Sequence, residues 1–311
     1  MRVAVIGAGG VGGYFGGRLA MAGEEVIFIA RGEHLQAMQS FGLRVESLLG
    51  DFWLRPVSAV EDPEQVGPVD AILVAVKAWQ LSEAVRRITP IVGQQTMVIP
   101  LQNGVEAPEQ LVDLLGHEPV LGGLCRITSF IAAPGHICHT GIEPRLIFGE
   151  LDGRDSPRAE RLRAAFAGAR VNTRVSNDIR REMWEKFLFI VGISGVGAIT
   201  RAPAGVFRAL PQTRVLLEQV LAEVIAVAQA IGIPLDEQSR ASTLDLIDSL
   251  PEDTVASMQR DILLGKPSEL ESHAGAVVRL GKEHGIPTPA NAFLFAALLP
   301  QEQRARGQAQ F

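Results

Sequence analysis

The chain has 311 residues, of which 47% are hydrophobic and 21% are charged. This length allows two domains, and these proportions are ordinary for a soluble globular protein. The net charge of −6 and the absence of Lys/Arg runs argue against nucleic-acid binding. Cys125 and Cys138 are too few for a disulfide framework. The longest uncharged run, Phe187 to Thr200, is too short and too rich in glycine to span a membrane, so we expect a cytoplasmic protein.

The first motif is Gly7-Ala8-Gly9-Gly10-Val11-Gly12, which follows an apolar strand-like run. An amphipathic helical pattern and a second apolar run come next, and this context is the one a dinucleotide site requires. Gly7 permits a tight turn, Gly9 lets a pyrophosphate approach the backbone, and Gly12 lets the helix pack closely on the strand. The N-terminus of the helix presents N–H groups and a positive dipole to the phosphates. The motif therefore predicts a dinucleotide-binding loop.

The end of the second strand indicates which dinucleotide is bound. NAD-type sites carry an acidic residue about 20 residues beyond the motif, where it binds the ribose 2′-OH. This chain has Ala30-Arg31-Gly32 there. A guanidinium can bind a 2′-phosphate through paired, charge-assisted hydrogen bonds, so Arg31 predicts NADP(H). The alternative is an ordinary solvated arginine, and Glu33 could relax the preference for NADP(H).

Short apolar runs alternate with helical patterns through the first half of the chain, which predicts a doubly wound sheet. The predicted strands are Val3–Ile6, Val26–Ile29, a hairpin of Arg44–Glu46 and Phe52–Leu54, Ala71–Val76, Val98–Leu101, Val120–Thr128, Gly135–Thr140, Arg145–Phe148 and Val171–Val175. Near Asn177 the period changes to about 3.6, which predicts helices after Asp178, over Arg214–Ile231 and over Leu270–His284. The predicted fold class is α/β, with an N-terminal Rossmann-type doubly wound sheet (residues 1–177) followed by an all-helical C-terminal domain (residues 178–311).

Three polar residues stand where chemistry could occur. Lys77 and Asn103 follow two successive predicted strands, and ligands of doubly wound sheets bind outside the carboxyl ends of the strands. Each is also compatible with a plain polar loop residue. Lys186 interrupts an otherwise apolar helix. It either extends its ammonium group to solvent or lies in a cleft, where desolvation would make it a usable general acid.

Two further clusters have simpler explanations. Glu269 and His273 are four residues apart, but Ser268 can cap a helix that starts there and Glu269 is favourable in its first turn, so the pattern alone favours capping. The sequence His136-Ile137-Cys138-His139 suggests a metal site. On a strand, however, His139 faces away from His136 and Cys138, so no metal is expected.

The chain resembles the ketopantoate reductase (2-dehydropantoate 2-reductase) family over essentially its whole length. The glycine-rich motif is one element of this resemblance. The others are Val76-Lys77-Ala78-Trp79-Gln80, Gln102-Asn103-Gly104, Ile179-Arg180-Arg181-Glu182-Met183-Trp184-Glu185-Lys186, Ala256-Ser257-Met258-Gln259-Arg260-Asp261, Glu269-Leu270-Glu271 and Gly285-Ile286-Pro287-Thr288-Pro289.

The resemblance implies an NADPH-dependent reduction of a 2-oxo acid in pantothenate biosynthesis, at a cleft between a Rossmann domain and a helical domain. It implies that Lys186 is the proton donor and that Glu269 helps to hold substrate or cofactor, in place of the capping role. The other positions that it implies are Lys77 and Asn103 at the cofactor and substrate, Ser257 at the substrate carboxylate, and the backbone of Ile131 at the cofactor.

The chain also departs from this family at four substrate-recognition positions. Ile190, Ser194, Ala204 and Thr254 stand where the family commonly has asparagines. A site that binds polar substrate groups loses affinity when its hydrogen-bonding partners disappear. Three hypotheses follow: a ketopantoate reductase, a paralogue that reduces a more apolar 2-oxo acid or ketone, and an NADP(H)-binding sensor without turnover. The apolar C-terminal helices leave a homodimer open.

Overall fold

Strands and helices alternate through the first half of the chain, and helices alone make up the second. The computed structural model describes residues 1–309. Its strands are β1 Arg2–Ile6, β2 Glu25–Ile29, β3 Leu43–Ser47, β4 Phe52–Leu54, β5 Ser58–Val60, β6 Ala71–Val74, β7 Met97–Pro100, β8 Leu121–Ala133, β9 His136–Glu150 and β10 Asn172–Val175. Its helices are α1 Gly10–Met21, α2 Gly32–Phe41, α3 Leu81–Ile88, α4 Ala107–Leu115, α5 Pro157–Gly168, α6 Ile179–Thr200, α7 Ala204–Ala209, α8 Pro211–Ala230, α9 Glu237–Asp248, α10 Ser257–Leu263, α11 Ala274–Glu283 and α12 Pro289–Ala305. Short 3₁₀ turns cover Pro63–Gln65, Ala78–Gln80 and Thr89–Ile91.

The first sheet is parallel throughout, in the order β5-β2-β1-β6-β7. Every residue of β6 and β7 is buried, as expected for strands that are covered on both faces. The carboxyl ends of β1, β2, β6 and β7 lie along one edge of this sheet, and the glycine-rich loop follows β1 directly. The α/β fold class expected from the sequence is confirmed.

The second sheet is built around β9, which pairs with β8, β3 and β10. The expected hairpin of β3 and β4 is present. The two expected strands Gly135–Thr140 and Arg145–Phe148 are one strand, whose first part pairs with β3 and whose last part pairs with β10. The prediction of two strands was wrong because β9 bulges between them, with Gly141 at φ +75°.

The helices from α6 to α12 enclose a second hydrophobic core, separate from that of the sheets. Helix α6 is long and apolar enough to cross a membrane by length and composition alone, but 67% of its most apolar window is buried inside the protein. Such burial is typical of the core helix of a soluble protein.

The helix expected over Leu270–His284 is shorter, because α11 begins only at Ala274. His273 precedes it with a non-helical backbone, at φ −106° and ψ −99°. Ser268 therefore does not cap α11: its hydroxyl donates to Glu302 and accepts from the N–H of Leu270. The capping explanation for Ser268 and Glu269 was wrong.

The Cα positions divide the chain into two compact units. The first comprises Met1–Gln102 and Ala107–Ile179. The second comprises Asn103–Glu106 and the described residues from Arg180 onward. Asn103, which follows the last strand of the parallel sheet, is therefore part of the helical unit.

Candidate active site

The glycine-rich loop has the geometry that a dinucleotide needs. Gly7 has φ +92°, a conformation that side-chain-bearing residues rarely adopt, and it makes the turn out of β1. At Gly12 a Cβ atom would lie 2.2 Å from the carbonyl oxygen of Gly7, so only glycine allows α1 to pack this closely. At Gly9, in contrast, a Cβ atom would meet nothing within 4 Å. The space above Gly9 is open to a phosphate group.

Helix α1 begins at Gly10, with Gly9 as its N-cap residue and with no side-chain cap from the described residues. The half-buried Gly10 and Val11 and the buried Ala8 complete this loop. At Gly10 a Cβ atom would lie 2.4 Å from the backbone oxygen of Ser129, so β8 passes directly beside the loop. The residues present fit a pyrophosphate bound at the helix N-terminus.

Arg31 lies just beyond the end of β2 and is the N-cap residue of α2. Its side chain is 58% exposed, and its Nη1 atom lies 3.9 Å from Oε1 of Glu83. The ion pair is long and solvent-exposed, so it holds the guanidinium only weakly. Arg31 is thus available to a 2′-phosphate.

Lys77 is exposed and follows β6, as the sequence indicated. Its ammonium group lies 5.7 Å from the centre of the Trp79 ring. Ile131, on β8, is 46% exposed. Both residues belong to the first unit and are accessible to a ligand there.

Three of the residues singled out in the sequence meet within the second unit. The ammonium nitrogen Nζ of Lys186 donates a hydrogen bond to Oδ1 of Asn103 over 3.0 Å. The amide nitrogen Nδ2 of Asn103 donates to Oε2 of Glu269, also over 3.0 Å. We call this arrangement the Lys186–Asn103–Glu269 chain. It joins a cation to a carboxylate through one amide.

The local structure accounts for the position of each member of this chain. Lys186 is half-buried on α6, where the neighbouring Phe187 and Leu188 are buried in the helical core. Asn103 is presented by the turn after β7, and Glu269 lies in the non-helical segment before α11. Glu269 is only 5% exposed, so its charge is poorly solvated and favours a nearby donor.

His273 lies beside the carboxylate of Glu269. Its Nε2 atom lies 3.9 Å from Oε2 of Glu269, and the imidazole is 1% exposed. The ring meets the ring of Phe187 edge-on, at 6.5 Å between centroids. The sequence shows that His273 is four residues from Glu269, but it does not show the contact between His273 and Phe187.

The remaining substrate positions differ in their accessibility. Ile190 is half-buried one turn after Lys186 on α6, and Ser257 is exposed at the start of α10. Ser194 is 2% exposed and Ala204 is fully buried. The N–H of Ala204 donates to the carbonyl of Thr254, so these two positions are neighbours. The role of Ser194 and Ala204 at the substrate stays a prediction, at two positions with little or no solvent exposure.

Sequence reasoning missed His34. Its Nε2 atom lies 2.8 Å from the carbonyl oxygen of Ala8, in the glycine-rich loop. Burial lowers the pKa of His34 below its ordinary value, and the hydrogen bond to Ala8 offsets this effect only in part. A single histidine in an amphipathic helix carries no pattern that would reveal such a contact.

Comparison with known families and structures gives consistent matches. The family described as Ketopantoate reductase PanE/ApbA matches residues 3–153, and its C-terminal counterpart matches residues 178–302. An uncharacterized oxidoreductase, YkpB of Bacillus subtilis, is 31% identical over 96% of this chain and 98% of its own length. The 2-dehydropantoate 2-reductase of Mesorhizobium japonicum is 29% identical over 93% of this chain and 94% of its own. The crystal structure of a PanE/ApbA family ketopantoate reductase from Ralstonia eutropha has a TM-score of 0.90 at 34% identity, covering 98% of this chain and 100% of that one.

Proposed function

Because the chain belongs to the ketopantoate reductase PanE/ApbA family, we propose that it uses NADPH to reduce a 2-oxo acid, nominally 2-dehydropantoate to pantoate, with Lys186 as proton donor. The family gives the coarser activity, that of an NAD(P)H-dependent oxidoreductase acting on CH–OH/C=O. The proposal adds the phosphorylated cofactor, the substrate and the roles of the residues. The observation that carries it is the Lys186–Asn103–Glu269 chain.

This chain of hydrogen bonds suits a proton donor that must be held in one place. A lysine ammonium has three N–H donors, and Asn103 engages one of them. Asn103 is itself oriented by Glu269, so the amide oxygen is kept pointing at the ammonium group. Such second contacts hold a catalytic side chain in its productive geometry.

A carbonyl reduction needs a group that can donate a proton to the carbonyl oxygen. NADPH, when bound, supplies the hydride. As the carbonyl carbon is reduced, negative charge develops on the carbonyl oxygen. The Lys186 ammonium stabilises that charge and transfers a proton to the oxygen, which gives the 2-hydroxy acid.

The cofactor part of the proposal is supported by the loop and by Arg31. The open space above Gly9 would accept the pyrophosphate, and an exposed arginine stands at the end of β2 where NAD-type sites have an acid. The 2′-phosphate of NADPH would replace the long contact between Arg31 and Glu83 with bidentate hydrogen bonds.

A second candidate substrate, a more apolar 2-oxo acid, is favoured by the surface of α6. Ile190 lies four residues after Lys186 and thus on the same face of the helix. Its side chain cannot hydrogen-bond a substrate hydroxyl. An apolar substrate side chain could pack on Ile190 without losing a hydrogen bond, whereas a substrate hydroxyl would have no hydrogen-bonding partner at Ile190.

The test follows NADPH absorbance with ketopantoate and with a panel of branched and aromatic 2-oxo acids. Lys186→Ala is compared with Lys282→Ala, which removes an exposed lysine from α11. We expect Lys186→Ala to lower kcat by about 100-fold or more, since positioned acids contribute about 10²–10⁴-fold. We expect Lys282→Ala to have no effect.

The outcomes separate the hypotheses. Rapid oxidation of NADPH with ketopantoate supports the first substrate, and oxidation only with apolar 2-oxo acids supports the second. Tight NADPH binding without turnover on any substrate would contradict the reductase proposal and favour a sensor. A loss of less than about tenfold in Lys186→Ala would rule out Lys186 as the proton donor.

A further inference from the structure

His34 makes hydrogen bonds to two separate parts of the first unit. It lies in the first turn of α2, and its Nε2 atom is 2.8 Å from the carbonyl oxygen of Ala8. The N–H of Gly135 donates to its Nδ1 atom over 3.1 Å. Ala8 belongs to the glycine-rich loop, and Gly135 makes the turn between β8 and β9.

One form of the imidazole satisfies both contacts. Gly135 can only donate, so Nδ1 must carry a lone pair. The carbonyl of Ala8 can only accept, so Nε2 must carry the hydrogen. His34 is therefore neutral and protonated on Nε2. The lowered pKa of His34, which results chiefly from its burial, agrees with the neutral form.

The groups that His34 connects are those proposed to hold the cofactor. The carbonyl of Ala8 lies between Gly7 and Gly9 of the loop, and Arg31 is three residues before His34 at the start of α2. The same β8–β9 hairpin also meets the loop at Gly10, where the backbone of Ser129 leaves no room for a Cβ atom. His34 thus joins the N-terminus of α2 to both the loop and the hairpin beside it.

We propose that His34 is a positioning residue for the dinucleotide: through its two hydrogen bonds it sets the distance between the pyrophosphate-binding loop and Arg31. This inference rests on the proposed cofactor site, but not on the proposed substrate or proton donor. It predicts an effect on nucleotide choice, because a displaced Arg31 costs NADPH a contact that NADH never makes. A residue that only supported the fold would weaken both nucleotides alike.

The test measures the Kd of NADPH and of NADH, by nucleotide fluorescence, for His34→Leu and His34→Gln. Glutamine can donate to Ala8 and accept from Gly135, whereas leucine can do neither. We expect His34→Leu to weaken NADPH by about tenfold or more, since it leaves a donor and an acceptor without partners, and to weaken NADH distinctly less. We expect His34→Gln to bind NADPH within about threefold of the wild type. His117→Leu, which replaces an exposed histidine of the same unit, is the matched control.

Either of two results from these titrations would overturn the inference. One is a His34→Leu variant that keeps its NADPH affinity or loses both nucleotides equally, and the other is a His34→Gln variant that loses as much as leucine. Long-range ¹⁵N NMR of the nucleotide-free protein adds a readout without ligand, in which a charged imidazole or an Nδ1–H tautomer at neutral pH would also overturn it. Wild-type protein that binds NADPH but reduces no 2-oxo acid would refute the proposed function and leave this inference standing.

Discussion

Asn103 is oriented from both sides, by Lys186 and by Glu269, and each contact can be removed separately. Glu269→Gln keeps an oxygen that can accept from Asn103 but removes the charge, whereas Glu269→Ala removes both. If Glu269 acts mainly by orienting Asn103, we expect the alanine variant to lose about tenfold or more in kcat and the glutamine variant distinctly less. Steady-state kinetics at saturating NADPH measure both. Equal losses in the two variants would show instead that the charge itself is what matters.

Arg31 is expected to determine the preference between NADPH and NADH. Arg31→Asp replaces a guanidinium with a carboxylate that repels the 2′-phosphate. We expect a loss of NADPH affinity of about 10–100-fold and a small change for NADH, as hydrogen bonds to charged groups contribute about 1.5–3 kcal/mol. Arg86→Asp, at another exposed arginine of the same unit, is the charge-matched control. Equal losses for the two nucleotides would mean that Arg31 does not bind the 2′-phosphate.

The candidate site residues differ in how well the sequence predicts their roles and contacts. Lys186 is conspicuous because a charge inside an apolar helix is costly to place. Its contact with Asn103 and the contact of Asn103 with Glu269, 166 residues away, are products of the tertiary fold. No local pattern records them. His34 was missed for the same reason, since both of its partners are backbone groups, which every residue possesses.

Among the secondary-structure elements, the loop between β1 and α1 contains two glycines with different expected roles. Gly12 is needed for the packing of α1, and Gly9 for the binding of the nucleotide. Gly12→Ala would place a Cβ atom 2.2 Å from the backbone oxygen of Gly7, and no rotamer change can relieve this clash because neither atom moves with a side-chain torsion. We expect a destabilisation of about 1–3 kcal/mol and a lower Tm. Gly9→Ala faces open space at φ −71°, so its Tm should stay near that of the wild type while NADPH affinity falls.

Calorimetry and nucleotide titration of the two variants check this prediction. A Gly9→Ala variant that binds NADPH normally would show that no phosphate approaches the backbone there. A Gly12→Ala variant with unchanged Tm would show that α1 can move away from β1 without cost.

Strands and helices were predictable where the local pattern of apolar residues alone determined them. The parallel strands follow from short apolar runs, and the β3–β4 hairpin from two alternating segments. The two expected strands form the single strand β9 because β8 pairs with both of them across the bulge, and neither segment alone reveals this pairing. The late start of α11 was not predictable either, because the hydroxyl that was expected to cap the helix, that of Ser268, donates instead to Glu302 of α12, which is distant in sequence.

For the whole molecule, the change in hydrophobic period near Asn177 agrees with the change from sheets to helices at α6. This change was predictable because the spacing of apolar residues depends on the local secondary structure. The placement of Asn103–Glu106 in the helical unit is not local. Val105 packs in the helical core although it follows a strand of the parallel sheet, and Glu106 pairs with Arg279. The domain boundary near residues 177–178 stays a prediction of the sequence.

Acid should destabilise the protein in two steps that involve the half-buried His34 and the buried Glu150, because the pKa values of both groups lie below their ordinary values in the folded state. Burial lowers the pKa of His34 from 6.5. For Glu150, desolvation is the largest single influence and would raise the pKa, but hydrogen bonds and charges from Arg158, Ser156 and Arg154 together hold it below 4.5. In both cases the unfolded chain binds more protons than the folded chain in the window between the two pKa values.

The free energy of unfolding therefore decreases as the pH falls. The first decrease begins at about pH 6.5, where His34 becomes protonated in the unfolded state, and the second begins at about pH 4.5, where Glu150 becomes protonated in the unfolded state. The free energy of unfolding, measured by urea titration between pH 7.5 and 3.5, should show both steps. His34→Gln, which cannot titrate, should remove the upper step and keep the lower. Glu150→Gln should lower stability at neutral pH, since it weakens the contacts with Arg158, and should remove the lower step. If the upper step keeps its size in His34→Gln, a group other than His34 is responsible for it, because glutamine does not titrate.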